Sequence, residues 1–239
     1  MSEQWKYFLL ALGFFTRIPV PNFVDFQESD LNRSTKYFPL VGIIVGLVGA
    51  SSFAISAQFF PQNIAVLISM VATIYLTGAF HEDGLADSAD GIGGGWTREQ
   101  ILTIMQDSRL GTYGAVALFL MLFAKFQLLS SLNYYLLPFA LIAGHALSRL
   151  SAVYVMATLN YTKPEGKAKP LATQISLVDL AVASVFGLLP FFAMIDLLLI
   201  NNHSPSIVIK FVLMVLIPML LSWFWWRRKN LQMARWLYG

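Results

Sequence analysis

Cysteine is absent from this 239-residue chain, and charged residues are scarce. Without cysteine the protein can form no disulfide and can offer no thiolate to a metal ion. Only 12% of the residues are charged and 57% are hydrophobic, whereas a soluble domain usually carries about 25% charged residues. The mean hydropathy is +0.64. Because so apolar a chain cannot cover a surface that faces water, these numbers exclude an ordinary soluble domain and indicate a membrane protein.

Apolar stretches of spanning length recur along the sequence. A helix needs about 20 mostly apolar residues to cross roughly 30 Å of hydrocarbon. Residues 5–20 are also apolar, but charges at their ends, two closing prolines and the lack of a cleavage site indicate an interfacial or partly inserted helix, not a signal peptide. We therefore predict an all-α protein, a polytopic membrane helix bundle with about six transmembrane helices plus this N-terminal helix, in one domain over residues 1–239. The predicted spans are residues 38–60, 64–80, 113–132, 136–158, 177–200 and 207–226.

The basic residues alternate between the connecting segments. All but three of the sixteen lysines and arginines lie before the first span, in the loops after the second and fourth spans, or after the sixth. By the positive-inside rule, both termini and these two long loops are expected in the cytoplasm. The exceptions are Lys125, Arg149 and Lys210, and Arg149 lies one helical turn after His145. Ionisable groups at such depth usually face the protein interior, unless the span ends sooner than predicted.

The most informative stretch runs from His81 to Asp90, where the second span reaches the cytoplasmic side. Four of the thirteen acidic residues fall within positions 82–90, and nothing basic lies among them. Spacings of four and three place Asp83, Asp87 and Asp90 on one face if the run is helical. Three like charges repel unless a cation neutralises them, and carboxylate oxygens suit a hard ion such as Mg²⁺. A metal site is therefore predicted, with a solvated acidic loop as the alternative.

Other side chains of the same loop are candidates beside the aspartates. Asp107 would add a metal ligand and Arg109 would hold a phosphate bidentately, while a simple Asp-Arg helix cap is the alternative. His81 is either a ligand or a neutral hydrogen-bonding histidine. Glu82 points away from the shared face of a helix, so it is expected only to support the site.

Aspartates, glycines and arginines at a cytoplasmic membrane face suggest transfer chemistry on a phosphate or diphosphate. Mg²⁺ would neutralise charge on the leaving group while a substrate hydroxyl attacks. The sequence contains no Walker P-loop, no HExxH and no Ser-His-Asp arrangement. Spacing alone does not name the substrate.

Five short motifs occur in a fixed order across residues 14–166. In this order they resemble the cobalamin synthase family, also called adenosylcobinamide-GDP ribazoletransferase. The acidic run is the most specific of them. The motifs are Phe14-Phe15-Thr16-Arg17-Ile18-Pro19-Val20-Pro21, Tyr37-Phe38-Pro39-Leu40-Val41-Gly42, Asp83-Gly84-Leu85-Ala86-Asp87 with Asp90-Gly91, Asp107-Ser108-Arg109-Leu110-Gly111 with Gly114, and Pro164-Glu165-Gly166.

The resemblance implies a Mg²⁺-dependent transferase of cobalamin biosynthesis in the cytoplasmic (inner) membrane. Such an enzyme joins adenosylcobinamide-GDP to α-ribazole or its 5′-phosphate, releases GMP and makes adenosylcobalamin or its 5′-phosphate. The resemblance also implies that Asp83, Asp87 and Asp90 are catalytic metal ligands. Weaker expectations for phosphate or substrate contacts are Arg17, Asp107, Arg109 and His81. The bilayer is an expected partner and nucleic acid is not, and a homo-oligomer or a complex with other enzymes of the pathway stays open.

The chain departs from the family pattern at one point, and two rival functions share some of its features. Family members usually continue past the last arginine-rich segment into a G-G-x-T-G-D-x-L-G-A stretch, whereas this chain stops at Gly239, so we expect membrane insertion with little activity without that segment. A CDP-alcohol phosphotransferase has a related D-x₂-D-G-x₂-A-R motif, but this chain has Glu82-Asp83-Gly84-Leu85-Ala86-Asp87, without that arginine. An ion transporter needs acids at mid-depth, whereas Asp179 and Asp196 lie near predicted span ends.

Overall fold

The computed structural model describes residues 2–21, 28–158 and 175–200, and within these ranges the regular structure is entirely helical. This confirms the all-α prediction. The α-helices are α1 (Glu3–Phe15), α2 (Glu28–Ser34), α3 (Phe38–Ser56), α4 (Gln62–Thr77), α5 (Phe80–Gly94), α6 (Arg98–Ile104), α7 (Thr112–Ser131), α8 (Leu137–Thr158) and α9 (Leu177–Ile200), and a short 3-10 helix, Thr35–Tyr37, precedes α3.

Several of these helices are suited to cross a bilayer. In the described ranges, four stretches are long and apolar enough, and α4 with α5 passes the same test as a pair bent by 84°. The multi-pass architecture is therefore confirmed with four or five spans, but the number six is not, because residues 207–226 lie outside the described residues. The four stretches are Asp30–Ser56, Thr112–Ser131, Leu137–Thr158 and Leu177–Asp196.

Three predicted helix ends are wrong. The first span ends at Ser56, four residues before its predicted end. The N-terminal helix ends at Phe15, five residues before its predicted end, because Pro19 disfavours a helical conformation in the residue before it. The second span ends at Thr77, since Gly78 adopts the left-handed conformation that commonly terminates helices. Helical structure then resumes at Phe80 in a new direction.

The helices pack as two compact units, both built from separated segments of the chain. Among the described residues, the first unit comprises those within Met1–Phe14, Pro19–Gly46 and Phe139–Gly239, and the second comprises Phe15–Ile18 and Leu47–Pro138.

Close helix packing holds the first unit together. A Cβ atom added to Gly46 would lie 2.5 Å from Cα of Ile142, so glycine lets α3 approach the backbone of α8. Small residues at such contacts let membrane helices pack closely. Arg149 on α8 is only 2% exposed and donates a hydrogen bond to the carbonyl of His145 at 3.0 Å. It therefore faces the protein interior, as expected for its depth.

The second unit contains α4 to α7. Nε2 of Gln62, the first residue of α4, donates to the carbonyls of Ser130 and Leu132 at 3.2 and 2.9 Å, so α4 begins where α7 ends and the two helices are antiparallel. Helix α5 packs on α4, α6 and most extensively on α7. Every site residue predicted from the sequence belongs to this unit: Arg17, His81, Asp83, Asp87, Asp90, Asp107 and Arg109.

Candidate active site

The site begins at a sharp break between α4 and α5. Gly78 and Ala79 are consecutive left-handed residues, with φ of 63° and 58°. The amides of Gly78 and Ala79 donate to the carbonyls of Tyr75 and Ile74 at 3.2 and 2.9 Å, which is the bonding pattern of a Schellman helix end. An L-residue such as Ala79 pays about 1–2 kcal/mol for this conformation. The break redirects the chain by 84° and so places α5 across the end of α4.

A segment of the N-terminal region is bound at this break. The amide of Arg17 donates to the carbonyl of Leu76 at 2.8 Å, one of the last-turn carbonyls that have no partner within their own helix. The exposed guanidinium of Arg17 lies over the ring of Tyr75, 5.6 Å from its centroid. The ring of Phe15 stacks on His81 at 5.6 Å. Two predicted phosphate or substrate residues, Arg17 and His81, are thereby placed at the start of α5.

The acidic run is helical, as predicted, and its three aspartates differ in exposure. Asp83 is exposed, Asp87 is half-buried and Asp90 is buried. Among the residues that the structure describes, no three histidine, aspartate or glutamate side chains form a group that would hold a metal ion. Asp83 and Asp87 are one helical turn apart on the same face. The roles proposed for them from the sequence stay predictions.

Asp90 contacts the first turn of α7. Its Oδ2 accepts a hydrogen bond from the amide of Gly111 at 2.8 Å, and its Oδ1 accepts one from the amide of Gly114 at 2.9 Å. Asp90 is 9% exposed. The acidic run and the loop that ends at α7 are therefore joined by direct hydrogen bonds, which no local sequence pattern indicated.

Asp107 and Arg109 form a local ion pair at the end of the same loop. Nε of Arg109 donates to Oδ2 of Asp107 at 2.9 Å, and the backbone amide of Arg109 donates to Oδ1 at 3.1 Å. The guanidinium, and then this amide, lower the pKa of Asp107 below its ordinary value. The Arg109 side chain is 87% exposed, so its remaining N–H groups face outward and are available to an anion.

Two features of α5 were not anticipated. Oε2 of Glu82 is buried and has no hydrogen-bond partner among the described residues, although sequence reasoning set this residue aside as merely supporting. The glycines that end α5 contact protein and not an open site: a Cβ at Gly91 would lie 2.5 Å from Cγ of Met105, and one at Gly93 would lie 2.5 Å from the ring of Tyr113. Their small size is explained by packing against α6 and α7.

Two carboxylates of α5, those of Asp83 and Asp87, are of a kind and number that suit Mg²⁺. Mg²⁺ is usually held by one or two carboxylates and completes its shell with water and substrate phosphates. Asp83 and Asp87 supply such a pair on an accessible face of α5. Asp90 is buried, and each of its oxygens accepts a backbone hydrogen bond. Asp83 and Asp87 are therefore the two more accessible carboxylates of the three.

Comparison with known proteins finds relatives of this chain over most of its length. A family model described as CobS, cobalamin-5-phosphate synthase, matches residues 7–234. The adenosylcobinamide-GDP ribazoletransferase of Shewanella piezotolerans is 42% identical over 234 residues, 96% of this chain and 86% of the relative. The protein of the same name from Ralstonia pickettii is 48% identical over 193 residues, 80% of this chain and 75% of the relative. No solved structure matches the chain.

Proposed function

The chain belongs to the CobS family of cobalamin-5-phosphate synthases, and on this premise we propose that it joins adenosylcobinamide-GDP to α-ribazole, or to α-ribazole 5′-phosphate. The products are adenosylcobalamin, or its 5′-phosphate, and GMP. The observation that carries the proposal is the family match over residues 7–234, which includes every residue of the candidate site.

The reaction transfers a phosphoryl group between two oxygen atoms. A hydroxyl oxygen of the α-ribazole moiety forms a bond to the phosphorus on the cobinamide side of the diphosphate. The bond from that phosphorus to the bridging oxygen breaks, the bridging oxygen leaves with GMP, and the hydroxyl loses its proton. Negative charge therefore grows on the leaving group, and fixed cations around it stabilise the transition state.

The site residues match these requirements. We assign Arg17 and Arg109 to the diphosphate, because both guanidinium groups lie exposed in the unit that carries the acidic helix. Asp83 and Asp87 would hold Mg²⁺, which when bound neutralises phosphate charge. Asp107 orients Arg109 through their hydrogen bonds, and Phe15 fixes the ring of His81 by stacking.

We further propose that this site faces the cytoplasm from the inner membrane. The loop between α4 and α7 carries Arg98 and Arg109, whereas the connection between α7 and α8 contains no lysine or arginine. By the positive-inside rule the first is cytoplasmic and the second is not. Both termini are then cytoplasmic as well.

The proposal predicts Mg²⁺-dependent release of GMP by the purified protein in detergent or nanodiscs. Asp83→Asn and Asp87→Asn should each lower kcat/KM by about 100-fold or more, because charge neutralisation in the transition state is lost. Glu99→Gln removes an exposed carboxylate of α6 in the same unit and serves as the matched control with unchanged activity. The assay supplies adenosylcobinamide-GDP and α-ribazole and quantifies GMP with and without Mg²⁺.

Three other outcomes of these assays would contradict the proposed reaction or the proposed metal ligands. Absence of GMP release by the wild type with both substrates would reject the proposed reaction. CMP release from a CDP-alcohol would instead support the phospholipid-type rival. Equal losses in the Asp83, Asp87 and Glu99 variants would indicate a general charge effect and contradict specific ligation.

A further inference from the structure

The N-terminus of α7 has no cap of its own. Helix α7 begins at Thr112, and its N-cap residue, Gly111, provides no side-chain hydrogen bond. The first amides of a helix have no acceptor within the helix, and an aspartate, asparagine, serine or threonine at the N-cap usually satisfies one of them. Glycine cannot do so. Any side-chain acceptor for α7 therefore comes from elsewhere in the chain.

Asp90 supplies that acceptor from a different helix. Gly114 is the third residue of α7, and its amide is the one that an N-cap side chain ordinarily binds. Here Oδ1 of Asp90 takes this bond at 2.9 Å, and Oδ2 takes the amide of Gly111 at 2.8 Å. A buried carboxylate is also favoured at this end of a helix, because the helix dipole is positive there.

Gly111 and Gly114 leave room for the carboxylate of Asp90 because they have no side chain. A Cβ atom at either Gly111 or Gly114 would collide with the carboxylate of Asp90. At Gly114 it would also lie 3.0 Å from the carbonyl oxygen of Ala86 on α5. Glycine at both positions is therefore explained by close contact with α5. The acidic run and the loop before α7 are two parts of one interlocked structure.

We propose that Asp90 is a positioning residue: it caps α7 from α5 and thereby holds the Arg109 turn in register with the acidic face of α5. Arg109 lies two residues before Gly111, so the Asp90–Gly111 bond fixes the end of the turn that carries the exposed guanidinium. Asp90 then acts on the reaction through Arg109, while Asp83 and Asp87 act directly. The effect of Asp90 on turnover rests on the proposed function. The hydrogen bonds by which Asp90 caps α7 do not depend on it.

The cap can be observed directly at two amides. The chain has 16 glycines, so selective ¹⁵N-glycine labelling gives a sparse NMR spectrum in which amide hydrogen exchange can be followed. Asp90→Asn keeps the size of the side chain but retains only one acceptor oxygen. We expect exchange at Gly111 or Gly114 to accelerate by about 10-fold or more, the scale of a lost hydrogen bond to a charged group. Asp83→Asn should leave both amides unchanged.

A second pair of measurements separates positioning from metal binding. Asp90→Asn should bind Mn²⁺, followed by its EPR spectrum, within about 2-fold of the wild type, while kcat/KM falls about 10-fold or more, chiefly through KM for adenosylcobinamide-GDP. Gly114→Ala should reproduce this behaviour although it alters no carboxylate. Asp83→Asn should weaken Mn²⁺ binding. Gly144→Ala, on α8 where an added Cβ meets nothing within 4 Å, is the control with unchanged activity.

Two results would overturn the proposal. One is unchanged exchange at both glycine amides in Asp90→Asn, and the other is a loss of Mn²⁺ affinity in Asp90→Asn equal to that in Asp83→Asn. If the wild type releases no GMP, the proposed function fails, yet amide exchange and Mn²⁺ binding still decide whether Asp90 is a cap or a ligand.

Discussion

Two helical glycines have open space where a side chain would stand. An added Cβ at Gly84 in α5, or at Gly144 in α8, meets nothing within 4 Å. Glycine inside a helix costs roughly 0.5–1 kcal/mol relative to alanine, so packing does not account for either residue. Gly84 lies between Asp83 and Asp87, and bare backbone there allows a ligand to come close. We interpret this glycine as part of the substrate surface.

This interpretation predicts opposite effects of one substitution on stability and binding. Gly84→Ala should raise the free energy of unfolding by about 0.5–1 kcal/mol and should raise KM for adenosylcobinamide-GDP, because the methyl group occupies space that the substrate needs. Gly144→Ala should give the same gain in stability with no change in KM. Thermal unfolding in detergent and the GMP-release assay measure the two quantities. An unchanged KM in Gly84→Ala would remove Gly84 from the substrate surface.

The break between α4 and α5 is the element on which the site depends. It turns α5 by 84°, and the Arg17 segment is bound to the carbonyl that the end of α4 leaves free. A Cβ at Gly78 would lie 2.8 Å from Nε of Arg17. The left-handed backbone therefore favours glycine at this residue, and an added Cβ would displace the Arg17 side chain.

Two adjacent substitutions at the break should differ in sign. Gly78→Ala should lower the free energy of unfolding by about 1 kcal/mol or more, because it adds left-handed strain and displaces Arg17. Ala79→Gly should leave stability equal or higher, since glycine adopts the left-handed conformation without a steric penalty. Denaturation midpoints of both variants beside the wild type provide the test. A larger loss in Ala79→Gly than in Gly78→Ala would contradict the strain assigned to Ala79.

At the scale of the whole molecule, the proposed orientation can be tested by single-cysteine labelling. The natural chain contains no cysteine, so one introduced residue gives an unambiguous signal. With a membrane-impermeant maleimide on intact cells, Asn133→Cys in the α7–α8 connection should be labelled and Glu99→Cys on α6 should not. Both side chains are exposed. Permeabilised cells provide the control in which both react, and labelling of Glu99→Cys in intact cells would reverse the proposed topology.

Hydropathy and helical periodicity by themselves determined most of the architecture. The apolar stretches around α3, α7, α8 and α9 correspond to predicted spans because each satisfies its backbone hydrogen bonds internally and needs no distant partner. The helical acidic run was likewise predictable, since its spacing of four and three is a local property of the chain. The exact ends were not, because Gly78 and Pro19 act through backbone conformation and not through hydropathy.

Only the tertiary structure decided which partners the site residues contact. Asp83, Asp87 and Asp90 are equivalent in sequence, yet Asp90 accepts hydrogen bonds from residues 21 and 24 positions away. Arg17 meets Leu76 across a still longer separation. Such contacts depend on which helices pack together, and no local pattern encodes that choice. A carboxylate becomes a cap or a candidate metal ligand according to the partner that packing brings to it.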